Sequence, residues 1–448
     1  MVRDRTQTMS LRQKLRLIVL LSVPSMIAQL SSVVMQMIDA SMLGHLSTDE
    51  AASVGLVSTT IWLFGGFCSA AASGFSVQVA HHVGANDLPG ARSVIRQGMV
   101  AVGCFAVMMM LIGISIAPLL PHWLDAREEI RSGATEYLTI VCCALPVLAF
   151  DMLAAGSLRC SGNIKLPSML NTMMCLLDVV FNYLFIFQLH MGIMGAAYGT
   201  FLAYIVTTVC MLYALVVKDK MLRFSLDRKL QFRPTRMTLL KAFTIGSPIG
   251  LERGVMCGAQ IAITGIIAPL GNVAIAANMF GIEVEGLCYM PGYGVAEATT
   301  TLVGQSKGAR REDLMRSFAW IAMALGMGIM AFMGIVMWVF APEMMAVITP
   351  KADVIALGTE VLRIEAWAEP GFAAAIVAYS VFVGAGKTLV PSIMNVASIW
   401  IVRLLLALLL APGMGLRGVW IAMAIELCWR GLTFIVKLTQ KGWSKVIE

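Results

Sequence analysis

The stretch from Ser31 to Leu46, SSVVMQMIDASMLGHL, sets one carboxylate, Asp39, in the middle of a hydrophobic run long enough to cross a membrane. A charge at that depth costs about 2.5–3.5 kcal/mol on insertion scales, so it needs either a task or a partner. The task would be handling a cation; the plainer alternative is pairing with a polar group on a neighbouring helix. A second set of polar groups follows in NTMMCLLDVVFNYLFIF, where Asn171, Asp178 and Asn182 stand at i, i+7 and i+11. At 3.6 residues per turn the three share one helical stripe. With Asp39 they can form a small polar cavity in apolar surroundings, and a carboxyl group in such a place can take up a proton and release it when the cavity hydrates or a cation arrives. The alternative for Asn171 and Asn182 is hydrogen-bonding glue between helices.

The second half of the chain holds more acids inside apolar runs: Glu252, Glu283, Glu285, Glu365, Glu369 and Glu426. Glu426 and Arg430 stand at i, i+4, a spacing that favours a structural ion pair. Glu365 has Arg403 or the surroundings of Arg363 as candidate partners. Glu252, followed two turns on by Gln260, together with Glu283 and Glu285, are candidates for binding a cationic solute or a second ion, or for structural pairing, for instance with Arg253. Gln36 and Gln260 occupy matching positions in the two halves and join this set. Tyr289, in GLCYMPGYG, precedes a Pro291-Gly292 interruption of the kind tolerated at membrane depth where backbone lines a cavity or is buried in protein. The 33 methionines can supply a soft lining to such a cavity or simply fill space.

These residues are positioned by helices. With 448 residues, 58% hydrophobic and 13% charged, the chain is far more apolar than a soluble protein and reads as an all-α membrane protein embedded in a lipid bilayer. Runs of about 20 apolar residues mark twelve spans: 15–43, 51–80, 94–120, 133–160, 166–188, 192–217, 239–268, 273–304, 316–342, 354–384, 390–411 and 415–437. Of the 33 Lys and Arg residues, 25 fall at the N-terminus, in the even-numbered loops or at the C-terminus, which predicts that both termini are cytoplasmic. The excess of +7 is therefore topology and not a nucleic-acid patch. The 10 cysteines lie almost entirely in apolar runs, with no CxxC pair and no metal-ligand spacing. Residues 1–23 resemble a signal peptide at first sight, but a repeat gives them a partner in the second half, so they read as a retained first helix.

That repeat has an offset of 224: Pro24 and Pro248, Val79 and Val303, Gly84-Ala85 and Gly308-Ala309, Arg92 and Arg316, Pro146 and Pro370, Gly162 and Gly386, Pro167-Ser168 and Pro391-Ser392, Asn171 and Asn395. After a slip of one residue, Met191-Gly192 matches Met414-Gly415. Six spans is an even number, so both copies enter from the same side. The expectation is two parallel six-helix repeats related by a pseudo-two-fold axis along the membrane normal. The lobes would be 1–217 and 242–448, joined by a cytoplasmic linker, 218–241.

The order and spacing of several motifs resemble the multidrug and toxic compound extrusion (MATE) family. They are Pro24 fifteen residues before Asp39, LVGQSKGARRED (Leu302–Asp313) with its weaker copy VAHHVGANDLPGAR, SLRCSGNIKLPSMLN and VFVGAGKTLVPSIMN, and MGIMGAAYGT with MGLRGVW. The resemblance covers essentially the whole chain. It implies a secondary antiporter of the inner membrane, with no enzymatic activity and no cofactor, that exports small organic cations or amphipathic compounds by alternating access. Proton entry would drive the cycle, with sodium as the alternative ion, and the protein would act as a monomer. Proton-coupled members use an Asp on the first helix and an Asn/Asp pair one turn apart on the fifth. Here Asp178 occupies the Asn position and Asn182 the Asp position, which shifts the acid by about one turn, roughly 5.4 Å. Sodium-coupled members carry acids at the positions of Met256 and Phe372; Glu252 and Glu369 lie one turn away.

Asp39, Glu252, Glu283 and Glu285 have no acidic repeat mates, so the expected division of labour gives the coupling ion to one lobe and shares the cationic substrate with the other. GAGKT (Gly384–Thr388) lacks the first glycine of a phosphate-binding loop, since position 381 is Val381, and neither HExxH nor GxSxG occurs. Two alternatives remain: a flippase for lipid-linked precursors, and a membrane enzyme, which the lack of a nucleophile, base and orienter at reaction spacing disfavours.

Overall fold

In hydrocarbon every backbone N–H and C=O must be bonded internally, and the apolar runs accordingly become helices. The computed structural model describes residues 9–44, 48–124, 126–227, 232–440 and 442–444. His45 and Leu46, at the end of the first polar stretch, lie outside these residues, as do Arg3 and Arg5. The helices are α1 (Leu11–Gly44), α2 (Thr48–Gly84), α3 (Leu88–Ile116), a single turn α4 (Leu120–Trp123), α5 (Glu128–Cys160), α6 (Lys165–Tyr183), α7 (Gly192–Tyr213), α8 (Arg236–Ile267), α9 (Asn272–Gly308), α10 (Glu312–Ile348), α11 (Ala352–Glu365), α12 (Glu369–Gly384), α13 (Leu389–Ala397), α14 (Leu404–Met414) and α15 (Leu416–Thr439). Short π-helical segments extend α6 (Leu184–Gln188) and α7 (Ala214–Lys218) and join α13 to α14 (Ser398–Arg403). Among the described residues, eleven helices are long and apolar enough to cross a membrane. The twelfth span is the pair α11 and α12, bent by 58° at Ala366–Ala368.

That bend differs from the expectation of an interruption at Pro291-Gly292. The helix α9 runs unbroken through both residues. Pro291 is buried, and the missing side chain of Gly292 admits Met330 Sδ, which would stand 2.4 Å from a Cβ there. Met330 of α10 packs against the helix where sequence alone suggested a break. The actual break puts Pro370 in the first turn of α12, the position where a missing N–H costs nothing. Its repeat mate Pro146 lies inside the continuous α5.

The repeat is written into the backbone. Asn86 (φ 63°) and Arg310 (φ 57°) both take the left-handed conformation, as do Gly162 (φ 98°) and Gly386 (φ 68°), and Gly192 (φ 57°) and Gly415 (φ 61°). The loops between corresponding spans therefore turn by the same device at the same offset, including the one-residue slip. At Asn86 and Arg310 a non-glycine residue tolerates the strain because the turn is closed by backbone bonds, Asp87 N to the His82 carbonyl and Arg311 N to the Ser306 carbonyl, each 2.9 Å.

By packing, residues 31–253 form one unit, and residues 1–30 with 254–448 form the other. The division runs through α1 and α8, where the sequence reading placed it in the linker at 218–241. In the unit 31–253 a continuous core from Val57 to Ala242 is built mainly by α2, α3, α5 and α7. The linker's first part belongs to this core. Arg92 pairs with Asp227 and donates to the Met221 carbonyl at 2.5 Å, and Arg96 donates to the Phe224 carbonyl at 2.8 Å while stacking on the Phe224 ring. In the other unit the repeat mate of Arg92, Arg316, donates to Ser444 at 2.8 Å. Each copy thus uses an arginine after its second span to hold the segment that follows its sixth.

Candidate functional site

In the unit 31–253, α1 and α6 bring together the three residues the spacing had singled out. The side-chain amide of Asn182 donates to Asp39 Oδ1 at 3.0 Å and to Asp178 Oδ2 at 3.1 Å. The stripe on α6 is real: Asp178 and Asn182 stand one turn apart, both buried, with 0% and 1% exposure, whereas Asp39 is half-buried. Asn171 lies on the same stripe about 10 Å along the axis and is outside this bonded group. Gln36 is exposed, one turn before Asp39 on α1.

Groups that sequence reading did not single out complete the surroundings. The Thr200 hydroxyl of α7 lies beside Asp178. Tyr137 of α5 and Tyr204 of α7 both interact electrostatically with Asp39 and Asp178. Gly199 makes the room: a Cβ there would lie 2.1 Å from Asn182 Oδ1 and 2.9 Å from its backbone nitrogen. The helix α7 can approach α6 this closely only without a side chain at 199. The signal was present in MGIMGAAYGT, whose glycines and hydroxyls share a helix, but nothing in one sequence said which helix they face. One amide thus bridges two carboxylates, and a proton or a cation between them would relieve their mutual repulsion. Oδ1 of Asp178 and Oδ1 of Asn182 have no hydrogen-bond partner, so two buried oxygens remain open to accept one.

The other unit gathers acids differently. Glu426 is fully buried and ion-paired twice, to Arg403 at 2.7 Å and Arg430 at 3.1 Å, and also accepts from Ser398 at 2.6 Å. The i, i+4 pair with Arg430 is as the spacing suggested; Arg403, offered as a partner for Glu365, is engaged by Glu426. Glu365 and Glu369 flank the bend between α11 and α12, both 0% exposed, and none of their four carboxylate oxygens has a hydrogen-bond partner. Glu285 is buried on α9 and interacts with Arg403, Glu365 and Glu369. Glu283, two residues earlier, is exposed on another face of α9, so the two do not act as one group. Glu252 is buried in the unit 31–253, and Gln260 is exposed. Tyr289 stacks edge-on against Tyr293 and Phe372, at 5.9 and 5.3 Å, in a small cluster with Met330 and Ile376. Glu297, which had no place in the sequence reading, accepts a bond from Gln29 at 3.2 Å.

The MatE family model matches residues 24–184 and again residues 248–409. The chain belongs to the MATE family. Within this MATE protein the two matched segments begin at the paired prolines, Pro24 and Pro248, so the family pattern recognises each half of the repeat. A probable multidrug resistance protein, NorM of Thermotoga maritima, is 25% identical over 432 residues, covering 95% of this chain and 92% of that protein. A probable multidrug resistance protein of Bacillus subtilis, YpnP, is 25% identical over 419 residues, with 93% and 92% covered. Among solved structures, an outward-facing multidrug resistance MATE family transporter of the MOP superfamily has a TM-score of 0.90 at 22% identity, covering 97% of this chain and 98% of that one. A MOP superfamily transporter from Pyrococcus furiosus, described as having a binding pocket of reverse polarity, gives 0.89 at 22%. These structures share the fold of this MATE protein, a multi-pass membrane protein of eleven helical spans and one bent pair.

Proposed function

We propose that this MATE protein is a secondary antiporter that exports small organic cations or amphipathic compounds across the inner membrane in exchange for protons, by alternating access, with both termini cytoplasmic. The observation that carries the reading is Asn182 bridging Asp39 and Asp178 inside an apolar bundle. Such a pair holds one proton readily and loses it when a cation or water reaches it, which is the property an exchanger needs at its coupling site. Asp39, on the half-buried side, is the main coupling carboxylate; Asp178 and Asn182 set its environment. Names of relatives such as NorM point to drug-like substrates. Glu285 and Tyr289 are the candidates for meeting the cationic part and the apolar part of such a compound.

Sodium coupling is the second reading, favoured by the open oxygens of Asp178 and Asn182, which suit a hard cation. The test is ethidium transport in proteoliposomes holding the full chain, under pH and sodium gradients imposed separately. Proton antiport predicts ethidium movement on the pH gradient alone, lost in Asp39→Asn. Movement on the sodium gradient alone moves the assignment to sodium. A response to neither removes the antiport reading and favours a flippase.

A further inference from the structure

The fourth span carries a buried acid with no role in the site described above. Asp151 of α5 is 8% exposed, and its Oδ1 has no hydrogen-bond partner. Beside it on α7 stands Thr208, whose hydroxyl donates to the Val147 carbonyl, one turn earlier on α5, at 3.4 Å. Thr208 ends a stripe: Thr200, Tyr204 and Thr208 stand at i, i+4 and i+8, one face of α7 rising about 12 Å. Thr200 meets Asp178 at one end, Thr208 meets Asp151 at the other, and Tyr204 between them interacts with Asp151, Asp178 and Asp39.

We propose that Thr200, Tyr204, Thr208 and Asp151 form a proton path along the seam of α5 and α7, connecting the Asp39–Asp178 pair with the end of α5 marked by Arg159. The path rests on the reading of that pair as the proton site. Each hydroxyl can donate and accept at one oxygen. A proton leaving Asp178 adds to the first hydroxyl oxygen while that oxygen gives its own proton onward. Water bridges successive groups that stand farther apart than a hydrogen bond. After one passage the hydroxyls are unchanged, Asp178 is ionised and Asp151 is protonated, and Asp151 then gives the proton to water at its end of the helix. Arg159 lies two turns beyond Asp151 on α5 and acts on it electrostatically. The other faces of α5 here meet Gly65 and Ser76 of α2 and Gly103 of α3, none of them titratable. At the far end of the path Tyr137 and Cys175 join Tyr204 in facing the pair. The charge distribution along the sequence assigns the Arg159 end to the cytoplasm, so the path would deliver protons inward.

The experiment compares Asp151→Asn, Asp151→Glu, Tyr204→Phe and Asp39→Asn in full-length chain reconstituted in proteoliposomes. Two rates are read with ethidium: movement driven by a pH gradient, and ethidium–ethidium exchange without a gradient, which needs no net proton passage. The path predicts that Asp151→Asn lowers the driven rate at least tenfold while exchange stays within about twofold. Asp151→Glu should restore the driven rate, and Tyr204→Phe should lower it several-fold. If Asp151→Asn slows both rates alike, the residue is structural and the path is overturned. If it leaves the driven rate unchanged while Asp39→Asn abolishes it, the path is wrong and the pair remains the proton site. If Asp39→Asn leaves the driven rate intact, the reading of the pair fails and the path fails with it.

Discussion

At the scale of single residues, the Asp39–Asp178 pair depends on one amide and on one missing side chain. Gly199→Ala would put a methyl group 2.1 Å from Asn182 Oδ1. Overpacking of this kind costs about 1–3 kcal/mol and here must displace the bridging amide. The expected outcome is a lower melting temperature in detergent together with at least a tenfold loss of pH-driven ethidium transport, although both aspartates are intact. Wild-type transport by this variant would show that the bridge is dispensable. Glu426 offers a contrast, because it balances two guanidinium groups, that of Arg430 buried and that of Arg403 partly buried. Glu426→Ala leaves Arg403 and Arg430 without their carboxylate, and breaking a buried pair costs about 3–5 kcal/mol. A large loss of thermal stability is expected, larger than for Arg403→Met combined with Glu426→Met, which removes charge from both sides. The i, i+4 spacing exposed the Glu426–Arg430 pair in the sequence, but Arg403 lies 23 residues away, on another element, and only packing could assign it.

At the scale of elements, the helices start and stop where local chemistry dictates. Asp87 caps α3: its Oδ1 accepts from Gly90 N at 2.9 Å and its Oδ2 bonds His82 Nδ1 at 2.8 Å. Burial works against ionisation of Asp87, but those two bonds and the charges of His82 and Arg92 outweigh it and hold the carboxyl below the usual carboxylate range. The cap therefore contributes in full above about pH 4 and is lost as pH falls through the lowered value. Asp87→Ala should cost about 1 kcal/mol at neutral pH, and the difference from wild type in thermal melts should shrink in acid. The turn signals of this loop were plain in GANDLPG. The continuity of α9 was not, because Pro291 breaks a helix only where neighbours fail to hold it, and Met330 packs beside Gly292 from a helix the sequence could not place there. The bend between α11 and α12 was equally hidden. Its companion Gly334 on α10, where a Cβ would meet the Ala366 carbonyl at 2.7 Å, is an unremarkable residue in the sequence.

At the scale of the whole molecule, the backbone is duplicated and the charges are not. Left-handed residues recur at matching positions in both halves, and an arginine in each half holds the segment after its sixth span. Asp39 and Asp178 sit in the unit 31–253, and Glu365 and Glu369, whose carboxylates have no hydrogen-bond partner, sit in the other. Arg92 is the test of the shared device. Arg92→Ala frees Asp227 and the Met221 carbonyl, so trypsin should cut at Lys220 and Arg223 at least several-fold faster than in wild type, with little change in transport. Unchanged cleavage would mean that Arg96 and its ring contacts hold the segment alone.

The sequence by itself determined the class, the twelve spans, the repeat and the identity of the acids, because hydrophobic length, basic-residue placement and helical spacing are properties of the chain read one segment at a time. It placed Asp178 and Asn182 on one stripe for the same reason. The tertiary structure alone decided that Asp39 shares an amide with them, that Gly199 and Thr200 complete the site, that Glu283 and Glu285 face apart, and that Asp151 stands at the end of a hydroxyl stripe. Those facts depend on which helix faces which and in what rotation, and contacts between segments more than a hundred residues apart are set by close packing that no local pattern encodes.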